Sequence, residues 1–229
     1  MRSVTPDARL RAAAGFVRQG ARLADIGTDH AYLPVSLLRG GRVTFAVASD
    51  ISAGPLAHAR ETAAFAGIGE DRLALVLTPG LRGIETFRPT DITVCGMGGE
   101  MIVGILSEAP FVRDPEIRLI LQPMTRAQVL RTYLAANGFA IVSETLARVK
   151  RHVYTCLCVH YTGEAYALSP VEAYLGAYYT RYAGREHPLF HAYLEEQIAT
   201  VRRRVTGLRS VGAAREEDES LLAAMEAYL

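Results

Sequence analysis

Two rhythms of apolar and polar positions run through this chain. Short runs rich in apolar and β-branched residues recur at about 21–26, 43–49, 73–77, 91–95 and 117–122. Each reads as a buried strand. The stretches between them carry apolar positions at helical spacing and predict helices at about 31–39, from a Ser52 cap to Gly67, at 99–108 and at 125–136. Thr5-Pro6-Asp7 predicts an earlier helix start, with a hydroxyl cap and proline in the first turn, running to Gln19 and stopped by Gly20. Strands alternating with helices in this way predict an α/β fold with a mostly parallel sheet covered on both faces.

Two more strands are expected at Phe139–Leu146 and Val153–His160. The basic turn that joins them is too short for a helix, so they should pair antiparallel at one edge of the sheet. The pattern changes after Gly163. Residues 170–229 are rich in Ala, Tyr, Glu and Arg and are broken at Gly184, Pro188, Gly207 and Gly212. They predict two to four helices. The expected organisation is one domain over 1–162 and a small helical C-terminal domain over 163–229.

Composition narrows this picture modestly. Half of the 229 residues are apolar, enough for one substantial core with an appendage. A net charge of +1 leaves the partner open, because a near-neutral total can hide a basic face. Lys150 is the only lysine, so nearly all the positive charge is arginine. Cys95, Cys156 and Cys158 are an odd set without the spacing of a disulfide framework or a zinc site. No charged-then-apolar leader and no run of membrane-spanning length is evident. The expectation is a reducing, cytoplasmic setting.

The chemistry concentrates where strands end. Leu23-Ala24-Asp25-Ile26-Gly27-Thr28-Asp29-His30-Ala31-Tyr32-Leu33-Pro34 is a strand, an acidic glycine turn and a helix start. Gly27 permits close approach of a ligand to the backbone, and the helix start offers free N–H groups. Asp25 and Asp29 repel phosphate at this place and suit a cationic or hydroxyl-rich ligand. A dinucleotide turn requires Gly-x-Gly-x-x-Gly, whereas from Gly27 this chain reads Gly-Thr-Asp-His-Ala-Tyr. Asp50 ends the second strand, 23 residues beyond Gly27, where a carboxylate accepts hydrogen bonds from ribose hydroxyls. Gly96-Met97-Gly98-Gly99 follows the fourth strand and again permits close approach. Gln122-Pro123 follows the fifth. All these positions fall at strand carboxyl ends, where open α/β sheets bind ligands.

Other motifs are weaker. Arg148, Lys150, Arg151 and His152 form a basic turn, and Arg202-Arg203-Arg204 lies on a helix. Either could hold nucleic-acid phosphates, though charge runs are commonly solvated surface. His187 and His191 are four apart but lack the Glu of a zinc helix, so no metal is expected. Tyr174, Tyr178, Tyr179 and Tyr182 have helical spacing and suit a core between C-terminal helices better than base stacking.

The strings Asp25-Ile26-Gly27-Thr28-Asp29-His30-Ala31-Tyr32-Leu33-Pro34, Asp50-Ile51-Ser52-Ala53-Gly54-Pro55-Leu56, Gly96-Met97-Gly98-Gly99 and Leu119-Ile120-Leu121-Gln122-Pro123 resemble the TrmK family, over roughly residues 5–160. That family consists of tRNA (adenine-N1)-methyltransferases acting at position 22 with S-adenosyl-L-methionine. The resemblance implies a class I methyltransferase, Rossmann-like sheet with a helical C-terminal domain. It implies that Asp25, Gly27, His30 and Tyr32 shape the cofactor pocket, with Asp50 on the ribose and Ile51 on the adenine. Gly80 would lie in the adenine loop, and Gly96, Met97 and Gly98 would line the methyl-transfer site. Asp29 is similar to the family's proposed catalytic aspartate. Gln122, Pro123, Arg148, Lys150 and Arg151 are the expected tRNA-binding residues. Two positions depart from the family pattern. Pro79 stands before Gly80 where an acid is usual, and Met124 stands where Asn often follows Gln-Pro. A class I methyltransferase with another RNA or non-RNA substrate is the first alternative. An NAD-dependent oxidoreductase and a non-catalytic tRNA-binding protein are the others.

Overall fold

The computed structural model describes residues 6–181, 186–213 and 215–229. Seven strands form one sheet: β1 (Ala21–Ile26), β2 (Val43–Asp50), β3 (Leu73–Leu77), β4 (Asp91–Gly98), β5 (Arg118–Thr125), β6 (Phe139–Val149) and β7 (His152–Tyr161). Their order across the sheet is β3-β2-β1-β4-β5-β7-β6. The first five pair in parallel. β7 pairs antiparallel with both β5 and β6, so the antiparallel pairing occupies one edge, with β6 as the outermost strand. α1 (Ala8–Phe16) precedes β1, α2 (Tyr32–Arg39) lies between β1 and β2, and α3 (Ala53–Phe65) between β2 and β3. α4 (Gly99–Ser107) lies between β4 and β5, and α5 (Ala127–Ala136) leads from β5 to β6.

Strand alternation sorts the side chains onto two cores. Ala24, Ile26, Ile92, Val94, Leu119 and Leu121 face α4 and α5, meeting Ile102, Leu106, Leu130 and Leu134. Leu23, Ala46, Ala48 and Ile120 face the other way, onto Ala13, Leu33, Leu38 and Ala59 of α1, α2 and α3. Both faces are thus dry, which explains the nearly continuous apolar runs of these strands.

Three local expectations change. α1 begins later than Thr5 suggested: Asp7 is its cap, accepting from the Arg9 and Leu10 backbone N–H groups at 3.0 Å each. Pro6 therefore precedes the helix, and Thr5 lies outside the described residues. The helix also ends at Phe16 rather than Gln19. β4 does not stop at Cys95. It runs to Gly98 beside β5 with register irregularities on both sides of Met97. Gly96 takes φ +81° within that bulge, a conformation favoured by glycine. β5 likewise extends to Thr125, and its pairing with β7 ends at Leu121, so Pro123 interrupts no ladder there.

The C-terminal segment forms α6 (Pro170–Leu175), α7 (Ala177–Arg181), α8 (Phe190–Ser210) and α9 (Glu216–Glu226). Ser169 and Glu172 close a reciprocal capping box at α6. The core of these helices contains Leu175, Tyr179, Tyr193, Leu194, Ile198 and Val201, and also Leu146 and Val153 of the β6–β7 hairpin. Tyr179 is fully buried, as its core reading expects, while Tyr178 is partly exposed. Tyr182 and Gly184 lie outside the described residues.

Candidate functional site

The five parallel strands end at one rim of the sheet. β7 enters from the same rim because it runs against β5, so the β6–β7 turn stands there too. The site is built at this rim.

Asp25 is the penultimate residue of β1 and is buried. Thr93 of the neighbouring β4 donates to it at 2.7 Å. Burial pushes the Asp25 carboxyl above its ordinary range, and hydrogen bonds from Thr93 and Thr28 only partly offset this. The backbone then turns. Gly27 (φ +73°) and Thr28 donate their N–H groups to the Ser49 carbonyl at 2.8 and 2.9 Å. A Cβ on Gly27 would lie 1.9 Å from Met97 Cε, so the Met97 thioether packs directly on the glycine and ties this turn to the β4 bulge.

Asp29 points outward, its side chain 76% exposed. His30 Nε2 is 3.4 Å from Asp29 Oδ2. The His30 ring lies between Tyr32, at 5.0 Å and 7°, and His58 of α3, at 4.7 Å and 13°. Asp29, His30 and His58 each bring a donor atom within 4.8 Å of the others. The two imidazoles are stacked face to face. Sequence reading missed His58 because it lies 28 residues beyond His30, on α3 rather than in the turn before α2. Ala31, with φ 52°, caps α2 without a side-chain hydrogen bond, which leaves first-turn N–H groups of that helix unclaimed by a cap.

Asp50 ends β2. One of its oxygens accepts from the Ser52 N–H at 2.8 Å. Ser52 itself makes no side-chain cap bond. Ile51 and Leu77, at the ends of adjacent strands, are 72% and 61% exposed. Large apolar side chains flanking an acid at a strand end can cover a flat ring while the carboxylate takes hydroxyl groups. Gly80, with φ +55°, backs onto Ile105 of α4.

The β4–β5 side of the rim holds Gly96, Met97, Gly98, Gln122 and Pro123. Gln122 is fully buried, and its Oε1 accepts from the Gly96 N–H at 3.2 Å and from Arg9 Nη1 at 2.9 Å. Its amide nitrogen donates to the Pro123 carbonyl at 2.8 Å. The Gln122 amide thus serves the Gly96 bulge from beneath. Met124 turns its sulfur onto Arg9. Arg9 was not foreseen, since nothing in its local sequence marks it. A Cβ on Gly99 would approach the Arg126 carbonyl to 2.3 Å, so only glycine lets α4 start against the β5–α5 connection. Cys95 is no nucleophile here, because burial raises its thiol well above the ordinary range.

The two basic clusters differ. Arg148 and Lys150 have no hydrogen-bond or ion-pair partner among the described residues, and Arg151 donates only to the neighbouring His152 at 3.2 Å. Arg202 and Arg204 are engaged by Glu226 and Asp218 of α9, each at 2.6 Å. The hairpin turn thus carries free positive charge at the rim, several strands away from Asp29, whereas the α8 cluster mainly holds α9.

A twisted, mostly parallel sheet with acids at the ends of β1 and β2 and a glycine bulge at the end of β4 defines the methyltransferase class of α/β domains. The chain belongs to the methyltransferase domain family, whose model matches residues 7–157. It is 32% identical over 149 residues to the tRNA (adenine(22)-N(1))-methyltransferase of Bacillus subtilis, a match that covers 65% of this chain and 62% of that protein. The chain thus spans less than two thirds of that relative's length. Among solved structures, a Streptococcus pneumoniae protein assigned as a tRNA (m1A22) methyltransferase is similar at 30% identity and TM-score 0.81, over 98% of each chain. Its complex with S-adenosyl-L-methionine is similar at 29% identity and TM-score 0.80, over 95% of this chain and 100% of that one. No helix among the described residues is long and apolar enough to cross a membrane.

Proposed function

We propose that this protein transfers a methyl group from S-adenosyl-L-methionine to N1 of an adenine in tRNA, at position 22, in the cytoplasm. The observation that carries the reading is the division of the two acids around Gly27, one buried beside Thr93 and one exposed at the rim. The donor-bound relative, similar over 95% of this chain, supports the choice of cofactor.

The residues present fit that cofactor. Asp50 keeps acceptor capacity for ribose hydroxyls, and exposed Ile51 and Leu77 offer apolar cover for adenine. Asp25 supplies a buried negative charge toward the methionine end. Pro79 offers no carboxylate or N–H to the adenine, so contact in that loop falls to the Gly80 backbone. The cofactor supplies an activated methyl group on a sulfonium, and the protein must align the acceptor and exclude water. Adenine N1 carries a free lone pair and needs no general base. Positive charge appears on the base as transfer proceeds, and the exposed Asp29 carboxylate would stabilise it. N1 lies on the Watson–Crick edge, so the base must leave its pairing to react. Met124 turns inward onto Arg9, and base-edge recognition falls to other groups at the rim. Arg148, Lys150 and Arg151 are suited to tRNA phosphates.

The direct experiment is mass spectrometry of nucleosides after incubation with S-adenosyl-L-methionine and unmodified tRNA. Formation of 1-methyladenosine, lost when adenine 22 is replaced, is the expected result. Methylation that persists in the replaced tRNA would overturn the assignment of the base.

A further inference from the structure

The guanidinium of Arg9 comes from the first turn of α1, yet it reaches the far end of β5 and the β4 bulge. Nη1 donates to Gln122 Oε1 at 2.9 Å, the same oxygen that receives the Gly96 N–H at 3.2 Å. A Cβ on Gly96 would stand 3.8 Å from Nη1. The guanidinium carbon lies 5.6 Å from the Tyr154 ring centroid on β7. Nε and Nη2 both donate to Asp7 Oδ2, at 3.2 and 2.7 Å. The side chain is only 17% exposed. One planar fork therefore joins α1, the ends of β4 and β5, and β7 beneath the Gly96 bulge. Lysine cannot reproduce this, because an ammonium lacks the fork geometry.

We propose that Arg9 is a positioning residue for methyl transfer. Through Gln122 it fixes the Gly96 bulge against which the acceptor base is aligned. Its partner Asp7 balances its charge, so that a bare cation is not added to a site where positive charge passes from donor to base. The inference rests on the methyltransferase reading above.

The reasoning is geometric. The Gly96 backbone is in a left-handed conformation, and its N–H is directed by a single buried side-chain oxygen. Without Arg9 that amide loses one of the bonds that orient it, and the bulge gains freedom. Misplacement by about 1 Å costs about 100-fold in rate when transfer depends on alignment. Asp25 lies on β1, and Asp50 and Ile51 lie at the end of β2, so most of the proposed cofactor contacts are made away from the bulge.

The test compares Arg9→Ala, Gln122→Ala and the double variant with the wild-type protein. Readouts are single-turnover methyl transfer to tRNA and calorimetric binding of S-adenosylhomocysteine. The expected result is a rate loss of about 100-fold in Arg9→Ala, with cofactor affinity within about twofold of wild type. The double variant should be no slower than the slower single one, because both act on the same bulge. Added guanidinium ion should restore part of the Arg9→Ala rate. Should Arg9→Ala not fold, Arg9→Lys keeps the charge opposite Asp7 and is expected to remain slow. A wild-type rate in either variant, or losses that multiply in the double variant, would overturn the proposal. A loss confined to cofactor binding would overturn it as well. If the wild-type protein itself transfers no methyl group to tRNA, the functional reading fails instead, so the two failures are distinct.

Discussion

Asp25 and Asp29 stand four residues apart and meet opposite environments. Asp25 is enclosed beside Thr93, and its carboxyl is raised by burial. A carboxyl raised in the folded chain lowers stability as pH rises from the unfolded pKa through the folded one, because the unfolded chain releases that proton first. Asp25→Asn should therefore make the cofactor-free protein more stable than wild type near neutral pH, with the difference closing in acid. The same variant should bind S-adenosyl-L-methionine more weakly. Wild-type affinity should fall as pH drops through the raised Asp25 pKa, and this dependence should flatten in the variant. Thermal unfolding and calorimetry across pH check both halves. Asp29 is exposed, so Asp29→Ala should leave fold and cofactor affinity intact while transfer to tRNA falls by about 100-fold or more, read by single-turnover kinetics. Gly27→Ala combines φ +73° with a Cβ 1.9 Å from Met97 Cε. A stability loss of about 1–3 kcal/mol is expected, measured by urea unfolding, together with weaker cofactor binding.

At the scale of elements, the β6–β7 hairpin carries the clearest prediction. Its turn places Arg148, Lys150 and Arg151 at the rim without acidic partners among the described residues. Replacing Arg148 and Lys150 by Ala should raise KM for tRNA and shallow the salt dependence of binding by about one unit of slope per lost phosphate contact. Replacing Arg202 and Arg204 should instead loosen α8 from α9, because Glu226 and Asp218 already hold them. Filter binding at several salt concentrations, set beside thermal unfolding, separates the two outcomes. These clusters look alike in sequence. Their difference arises because α9 folds back on α8 and brings its acids with it. The strands and helices themselves were legible, since β1, β2 and β3 begin and end where their apolar runs do. The β4 bulge was not, because its glycines read equally well as a loop, and only pairing with β5 makes them strand.

Across the whole molecule, one buried ion pair joins the sheet to the C-terminal helices. Arg131 on α5 pairs with Glu144 on β6 at 2.7 Å and also donates to the Ala173 and Tyr174 carbonyls of α6. Both side chains are essentially inaccessible. Arg131→Met leaves Glu144 buried and unpaired, and a loss of about 3–5 kcal/mol in unfolding free energy is expected. The Arg131→Met, Glu144→Leu double variant should recover much of it. Denaturant titration of the three proteins checks the coupling. No local pattern marks these two residues as partners, since they read as an ordinary helix arginine and strand glutamate.

The sequence alone determined the alternation of strands and helices, the acids and glycines at the strand ends, and the family they resemble. These are local: periodicity, turn chemistry and short motifs act over a few residues. The tertiary structure decided which side chains meet. It buried Asp25 and exposed Asp29, stacked His58 on His30, brought Arg9 under the Gly96 bulge, and gave Arg202 and Arg204 acidic partners while leaving Arg148 and Lys150 without any among the described residues. Such relations depend on strand order and helix docking across long stretches of chain, and burial and partner choice have no local signature.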